Sequence, residues 1–263
     1  METVSIERNI QKGNFVTQRN DRWWTLPFVE DVLIIAFIIY TVVVMLFGLD
    51  GTVYKDMGYV SPIFGINILP ASFYNLIGWP EGVSTAWLFI WAPLGFRASC
   101  YYERKLYYRG FFANPPACGV TGVDVRRGKY TGERALPFIL NNFHRYFFYA
   151  TFILMILQTL DVLVAVFFYG IGVGTILMAI TAVFLSFYVY GCHAFRHAIG
   201  GKTDCYDCGI RGNLQYKGWR IVTKLNEKHN VWFWCSLIMV MVVDFYIHLV
   251  VMNPSLDFVF FKF

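Results

Sequence analysis

The segment Val29–Leu49, with the sequence VEDVLIIAFIIYTVVVMLFGL, decides the fold class of this chain. Beyond Glu30 and Asp31 it contains no charged residue up to Leu49. A transmembrane helix needs about 20 predominantly apolar residues to cross a hydrocarbon core of about 30 Å. The segment has that length and composition, so it predicts a first membrane-spanning helix.

Four further segments are apolar enough to cross a membrane. With the first segment, the predicted spans are residues 29–49, 83–100, 146–168, 172–191 and 231–252. Pro93 is expected to kink the second span, which neighbouring helices can tolerate by covering the carbonyl it frees. A Gly-rich turn joins the third span to the fourth. The pattern predicts an all-α integral membrane protein, a bundle of five transmembrane helices that forms a single domain over residues 1–263.

The composition excludes an ordinary soluble protein. Of the 263 residues, 57% are hydrophobic and only 15% are charged, whereas soluble domains carry roughly 25% charged residues. Mean hydropathy is +0.50. No sequence motif for nucleotide binding, nucleophilic catalysis or nucleic-acid binding is present, so we expect no catalysis by this chain alone.

The distribution of positive charge predicts the orientation. Of the 22 Lys and Arg residues, 20 lie in the N-terminal tail, in residues 97–145 or in residues 192–228. Lys and Arg are retained in cytoplasmic segments. The N-terminus is therefore expected in the cytoplasm and the C-terminus outside, which requires an odd number of spans. Residues 101–145 and 192–230 become cytoplasmic loops of a protein in the bacterial cytoplasmic membrane.

Most of the cysteine and histidine residues collect at the predicted cytoplasmic face. These residues are Cys100, Cys118, Cys192, Cys205, Cys208, His144, His193, His197 and His229. Disulfides are rare in a reducing compartment, so the cysteines are expected to be thiols or metal ligands.

His193 and His197 are spaced i, i+4 and therefore share one face of a helix. Two imidazoles on one face can bind one metal, although a pair of hydrogen-bonded histidines without a metal has the same spacing.

Three metal sites are compatible with the residues. The first is a Rieske-type [2Fe–2S] cluster held by two Cys and two His. The second is a haem b between His144 and His193 or His197. The third is a structural zinc on Cys205, Cys208 and the two histidines. Ligand counting alone leaves all three open.

Aromatic and basic side chains also crowd the inner membrane boundary. A quinone requires a flat apolar slot with a hydrogen-bond donor at each carbonyl, and these residue types supply both. The candidates are Trp23, Trp24, Arg97, Tyr101, Arg145 and Tyr146. An ordinary aromatic belt with arginines at the interface is the alternative for each residue taken singly.

Three ionisable residues lie deeper in the predicted spans, namely Asp161, Asp244 and His248. A carboxylate in hydrocarbon is costly, so each is expected to face the interior of the bundle. Asp161 and Asp244 are candidates to share a proton or to line a water path. Interhelical hydrogen bonds that only stabilise packing are the alternative.

The order of several motifs resembles the single membrane subunit (SdhC) of the mycobacterial-type succinate dehydrogenase 1. The matching stretches are Asp21-Arg22-Trp23-Trp24, Gly95-Phe96-Arg97-Ala98-Ser99-Cys100-Tyr101-Tyr102, Pro115-Pro116-Ala117-Cys118, Asn142-Phe143-His144-Arg145-Tyr146, Cys192-His193, Arg196-His197 and Asp244-Phe245-Tyr246. They extend over nearly the whole chain, and their combination is specific although no single stretch is.

The resemblance implies a respiratory complex II in which this chain is the membrane anchor. A flavoprotein subunit and an iron–sulfur subunit would dock on the cytoplasmic face, and electrons from succinate would reach menaquinone or ubiquinone here. It also implies a Rieske-type [2Fe–2S] cluster in place of haem. Ligand candidates that follow from it are Cys100, Cys118, Cys192, His144, His193 and His197, of which four would bind and His197 is the firmest. A haem b anchor and a non-redox membrane scaffold are the rival functions.

One stretch departs from the family pattern. Cys205-Tyr206-Asp207-Cys208 has no counterpart in the motifs above. It is compatible with a zinc site of its own or with a cluster that is liganded differently, so it bears on the assignment of the cysteine ligands.

Overall fold

The computed structural model describes residues 22, 25–47, 61–63, 71–80, 84–100, 138–201, 205–207 and 209–262. The fold is all-helical, as the sequence predicts for a membrane protein whose backbone polar groups must be satisfied within each segment. The helices are α1 (Thr25–Phe47), α2 (Ala71–Leu76), α3 (Trp91–Ala98), α4 (His144–Tyr169), α5 (Val173–Tyr190), α6 (His193–Gly200), α7 (Gly209–Glu227) and α8 (His229–Met252). Short 3-10 helices cover Thr85–Leu88, Phe138–Phe143 and Pro254–Leu256, and two short strands, β1 (Ile171–Gly172) and β2 (Val259–Phe261), complete the regular structure described.

Four of the described helices are long and apolar enough to cross a membrane. They are α1, α4, α5 and α8, and each overlaps one of the predicted spans. The remaining predicted span, residues 83–100, contains the 3-10 helix Thr85–Leu88 and then α3. Eight residues of α-helix extend only about 12 Å, less than half of the hydrocarbon thickness. A crossing at this segment therefore stays a prediction.

The chain separates into two compact units, residues 1–36 with 98–142 and residues 37–97 with 143–263. All side-chain contacts described below lie within the second unit. There α5 packs against both α4 and α8. On α8 the buried residues include Leu237, Val243, Ile247 and Val250, whereas Val242 and Phe245 are exposed. A helix that is apolar on its exposed face as well as its buried face is typical of a membrane span.

The turn between α4 and α5 is closed by a two-stranded sheet. Gly170 ends α4 with a φ of +92°, a left-handed conformation that side chains with a Cβ rarely adopt. Directly after it, β1 pairs antiparallel with β2, with Ile171 opposite Phe261. The backbone of Phe261 approaches Gly170 so closely that a Cβ at this position would collide with it. The C-terminal strand and the glycine together fix this end of the helix pair.

At the opposite end of α5 the chain turns into the short helix α6. Cys192 is its N-cap, and its Sγ accepts a hydrogen bond from the Ala194 amide at 3.4 Å. The amide of Asn226 donates to the Gly191 carbonyl at 2.7 Å. Arg196 donates to the Thr223 hydroxyl at 3.0 Å. These bonds attach α6 to α7 and set the positions of His193 and His197.

Candidate functional site

Arg97 lies near the C-terminal end of α3, and α5 and α8 hold its guanidinium group. It donates one hydrogen bond to the Phe233 carbonyl at 3.1 Å and another to the Ser236 hydroxyl at 2.9 Å. The same group lies over the rings of Tyr188 and Phe233, 4.7 and 4.9 Å from their centroids. Such contacts between a cation and a ring face are attractive, so the charge is fixed in place rather than extended into solvent.

An apolar cavity that is partly open to the surface begins beside Arg97, with about 800 Å³ of empty space that includes its open mouth. Its walls come from α1, residues 62–63, residue 90, α3, α4, α5 and α8. Only five of the lining residues carry polar groups, namely Thr41, Arg97, Thr151, Gln158 and Tyr188. Ligand sites of this kind are mostly apolar with a few polar groups that orient the ligand.

Two of these polar groups have no partner in the described part of the chain. The hydroxyl groups of Thr41 and Thr151 make no hydrogen bond there, and the two residues are only 2% and 7% exposed. A buried hydroxyl without a partner costs about 1–3 kcal/mol. A ligand with oxygen atoms in the cavity would remove that cost.

A series of stacked rings connects the cavity to two histidines. His144, the first residue of α4, stacks on Phe96 with the centroids 4.8 Å apart. His229, the first residue of α8, stacks on Tyr188 at 4.7 Å. Phe96 and Tyr188 meet edge to face at 5.2 Å, and both line the cavity. Each imidazole is therefore separated from the cavity by one aromatic ring.

His144 also contacts a buried thiol. Its Nε2 lies 3.0 Å from the Sγ of Cys192, which is 1% exposed. The first residue of α4 and the N-cap of α6 are thus brought together although 48 positions separate them in the sequence. An imidazole beside a thiol is a pair of metal-binding side chains.

His193 and His197 form a second pair on α6, as their spacing predicts. Their Nε2 atoms are 3.1 Å apart and their rings are nearly perpendicular at 84°. Partial burial lowers the pKa of His193 below its ordinary value of 6.5, and the neighbouring His197 and Arg196 lower it further. A neutral imidazole is the form that binds a metal, so the environment favours the ligating form of His193.

The other predicted site residues have different positions. Trp23, Trp24, Tyr101 and Cys118 lie outside the described residues. Cys100 is buried and belongs to the first unit. Arg145 and Tyr146 are exposed at the start of α4 and are not among the residues that line the cavity.

The cysteines differ in oxidation state. Cys100, Cys192 and Cys235 are in the reduced thiol form, whereas Cys205 is disulfide-bonded. This corrects the expectation that Cys205 is a thiol, and a disulfide sulfur is not the thiolate that a zinc site requires. Across the described ranges, no three His, Cys, Asp or Glu side chains converge as one group of metal ligands. The predicted ligands there occur as two separate contacts, His144 with Cys192 and His193 with His197.

The actinobacterial succinate dehydrogenase subunit SdhC has a family model that matches residues 25–253. That range is most of the chain. The chain belongs to the actinobacterial SdhC family. It is accordingly a membrane subunit of succinate dehydrogenase, a multi-pass protein of the bacterial cytoplasmic membrane that works with other subunits of that enzyme. The resemblance predicted from the sequence motifs is confirmed.

A solved structure agrees with this assignment. The chain is similar to a chain of the Mycobacterium smegmatis Sdh1 complex in the apo form, with 32% sequence identity and a TM-score of 0.74. The match covers 90% of this chain and 91% of that one. The comparison with curated proteins gave no match.

Several residues of the candidate site in this SdhC-type subunit are not indicated by the sequence. His229 stands at the start of the last predicted span but is not among the predicted ligand and quinone residues, although it is 1% exposed and stacks on a ring of the cavity wall. Thr41 and Thr151 gave no signal, because a threonine in an apolar helix usually bonds to its own backbone. Their lack of partners becomes visible only when the cavity is known.

Proposed function

We propose that this chain is the quinone-reducing anchor of its succinate dehydrogenase and that the cavity beside Arg97 receives the quinone head group. The composition of the cavity wall carries the proposal. The wall is apolar, but it contains a fixed guanidinium group and two buried hydroxyls that have no partner in the described residues. The same wall packs against His144 and His229. A flat conjugated ring with two carbonyl oxygens matches this set of groups. Menaquinone and ubiquinone both have that chemistry.

The proposed topology has five spans with the N-terminus in the cytoplasm and the C-terminus outside. The clustering of Lys and Arg supports it. The starts of α4 and α8 and the end of α5 then lie at the inner face, where His144, Cys192 and His229 meet. Residues 83–100 would form the additional crossing.

A Rieske-type [2Fe–2S] cluster is the cofactor we propose, held by four of Cys100, Cys118, Cys192, His144, His193 and His197. The described residues fit it by their chemistry, since they supply a thiol beside an imidazole and two imidazoles side by side. A cluster with two His ligands has a higher reduction potential than one with four Cys ligands, and it would supply one-electron transfer next to the quinone. Haem b between His144 and His193 or His197 is the alternative.

The side chains of the cavity have roles that follow from their positions. Arg97 places positive charge where negative charge develops on a quinone oxygen during reduction, and groups fixed in advance are the most effective for this purpose. The hydroxyls of Thr41 and Thr151 donate to quinone oxygens and orient the ring. Phe96 and Tyr188 exclude water and hold His144 and His229 one ring away from the head group.

The proposed partners are the flavoprotein and iron–sulfur subunits, docked at the inner face. Helix α7 lies at this end of the second unit and carries Arg211, Lys217, Arg220 and Lys224. Positive surfaces steer the approach of partners with complementary charge and fix their orientation.

The test is the purified complex with Val240→Phe, which fills the cavity from α8. Succinate should still reduce an artificial dye at the wild-type rate, whereas reduction of a short-chain naphthoquinone should fall at least tenfold. Normal quinone reduction in this variant would show that the quinone binds elsewhere. Iron, acid-labile sulfide and the visible spectrum of the same preparation separate a [2Fe–2S] cluster from a haem b, because only the haem gives a sharp low-spin band.

A further inference from the structure

Asp244 is a fully buried carboxyl group in the middle of α8, and its exposed fraction is 0%. Tyr40 on α1 donates its phenol hydrogen to Oδ2 at 2.6 Å. Ser61 donates a hydrogen bond to Oδ1. Burying an ionised carboxylate without partners is very costly, and these two hydroxyl donors allow the group to hold either charge state. The sequence suggests Asp161 as a partner for Asp244. In the described residues, the groups that interact with the Asp244 carboxyl group are others, and Asp161 is not one of them.

His248 extends the cluster toward the C-terminal end of α8. Its Nδ1 lies 2.8 Å from the Asp244 carbonyl and 3.4 Å from Oδ2. The His248 side chain is 14% exposed whereas that of Asp244 is buried. Among the described residues, the titratable groups that contact the Asp244 carboxyl group are Tyr40 and His248. Tyr40 is also partly exposed, but it lies on α1. The imidazole of His248 is therefore the member that extends the cluster along α8 toward its C-terminal end.

The opposite side of the cluster adjoins the cavity. Thr41, which follows Tyr40, lines the cavity, and so does Ile63, two residues after Ser61. Val240 also lines it and precedes Asp244 by one helical turn on the same face of α8. Three separate chain segments thus place the Asp244 cluster at the end of the cavity remote from Arg97.

We propose that Asp244, with Tyr40, Ser61 and His248, is a proton-transfer site that supplies the cavity from the outer side of the membrane. The proposal rests on the proposed function, because it requires that a quinone be reduced in the cavity. Reduction of one quinone to quinol takes two electrons, which succinate provides when it is oxidised to fumarate, and two protons. The two protons that leave succinate are released at the soluble subunits on the cytoplasmic side.

The relay follows from the geometry at Asp244. The protonated carboxyl group gives its proton to a reduced quinone oxygen and becomes a carboxylate, which the hydroxyls of Tyr40 and Ser61 stabilise. His248 then transfers the Nδ1 proton to Oδ2, and its Nε2 takes up a proton from water on the outer side. This turn leaves the proton of the neutral imidazole on Nε2. Exchange with water, in which Nε2 releases that proton and Nδ1 takes one up, restores the starting tautomer, so the cycle can run twice for each quinol formed.

The experiment uses the intact complex in proteoliposomes that carry a pH-sensitive dye in the lumen, with the soluble subunits facing outward. Succinate and a short-chain naphthoquinone are added outside. If protons come through Asp244, the lumen becomes alkaline as quinol forms, and a protonophore abolishes the change. In Asp244→Asn, which keeps the shape but cannot release a proton as an acid, quinone reduction and lumen alkalinisation should both fall at least tenfold. Tyr246→Phe, on the same helix, is the matched control and should behave as wild type, since Tyr246 donates to Asp257 instead.

Each result has a defined meaning. Quinone reduction in the wild type without lumen alkalinisation overturns the relay and leaves the proposed function intact. Alkalinisation that persists in Asp244→Asn also overturns it. Failure of the wild type to reduce quinone overturns the proposed function itself. Dye reduction by succinate reports assembly, and if Asp244→Asn does not assemble, His248→Gln decides, because it leaves the carboxyl group and its two hydroxyl donors in place.

Discussion

Replacing Arg97 by Gln tests the proposed quinone site most directly. The substitution removes the positive charge beside the cavity and the two hydrogen bonds, at 3.1 and 2.9 Å, that fix it on α8. Loss of one preorganised donor to a developing negative charge costs about 2.7–4 kcal/mol in the transition state. Since about 1.4 kcal/mol corresponds to a tenfold change in rate, kcat/KM for quinone should fall roughly 100- to 1,000-fold.

Arg97→Lys should lie between the wild type and Arg97→Gln. Lysine retains the charge but not the planar fork that bonds to the Phe233 carbonyl and the Ser236 hydroxyl together, so we expect a loss of about tenfold. The assay is reduction of a short-chain naphthoquinone by succinate, with dye reduction in the same preparation as the measure of assembled complex.

Arg145→Gln separates the two arginines that the sequence predicts for the quinone site. Arg145 is exposed and does not line the cavity, so its loss should change quinone reduction by less than about twofold, the effect of a few tenths of a kcal/mol. The reasoning is refuted if Arg97→Gln reduces quinone within twofold of the wild type at normal dye reduction. It is equally refuted if Arg145→Gln is the more damaging change, because the head group would then lie at the start of α4.

The double variant Thr41→Val with Thr151→Val should raise the KM for quinone about tenfold, and should not destabilise the complex, because neither hydroxyl has a partner in the described structure; unchanged steady-state kinetics would contradict this. Between pH 7.5 and 5.5 the unfolding temperature should fall more in the wild type than in His193→Gln. The pKa of His193 is lowered in the folded state, so on acidification the unfolded chain takes up a proton that the folded chain does not. An equal fall of the unfolding temperature in both proteins would contradict this prediction. Gly170→Ala should lower the unfolding temperature by several degrees, about 1 kcal/mol or more, because of its φ of +92°, whereas Gly218→Ala on α7, where a Cβ meets only an ordinary contact, should not.

The long apolar helices could be predicted from the sequence because hydrocarbon leaves the backbone few alternatives. Helix α8 spans His229–Met252 where the sequence predicts residues 231–252. The segment around α3 is different. Pro93 and Gly95 weaken a helix there, and the structure has a 3-10 turn followed by only eight helical residues. Its length cannot be inferred from hydropathy alone, because it depends on what packs against it.

The candidate site was predictable where it depends on one helix and not where it depends on packing. The i, i+4 spacing places His193 beside His197, and the Nε2 separation of 3.1 Å agrees with it. The bond between Tyr40 and Asp244 joins residues 204 positions apart, and no periodicity in either segment indicates it. The sequence correctly marks Asp244 as a residue that must face the interior, but it does not name its partner.

Helix α8 carries residues of every feature that we propose, in the order in which electrons, quinone and protons would meet. The separate features therefore belong to one mechanism. His229 stands at its start, Ser236 anchors the arginine two turns later, Val240 lines the cavity, Asp244 follows one turn on, and His248 one turn beyond that. Eight residues of helix from Ser236 to Asp244 extend about 12 Å, enough for a quinone head group with one oxygen toward each end. Electrons would then arrive at the end with the histidines, and protons at the end with the carboxyl group. A single rigid helix would keep the two supplies on opposite sides of the same substrate.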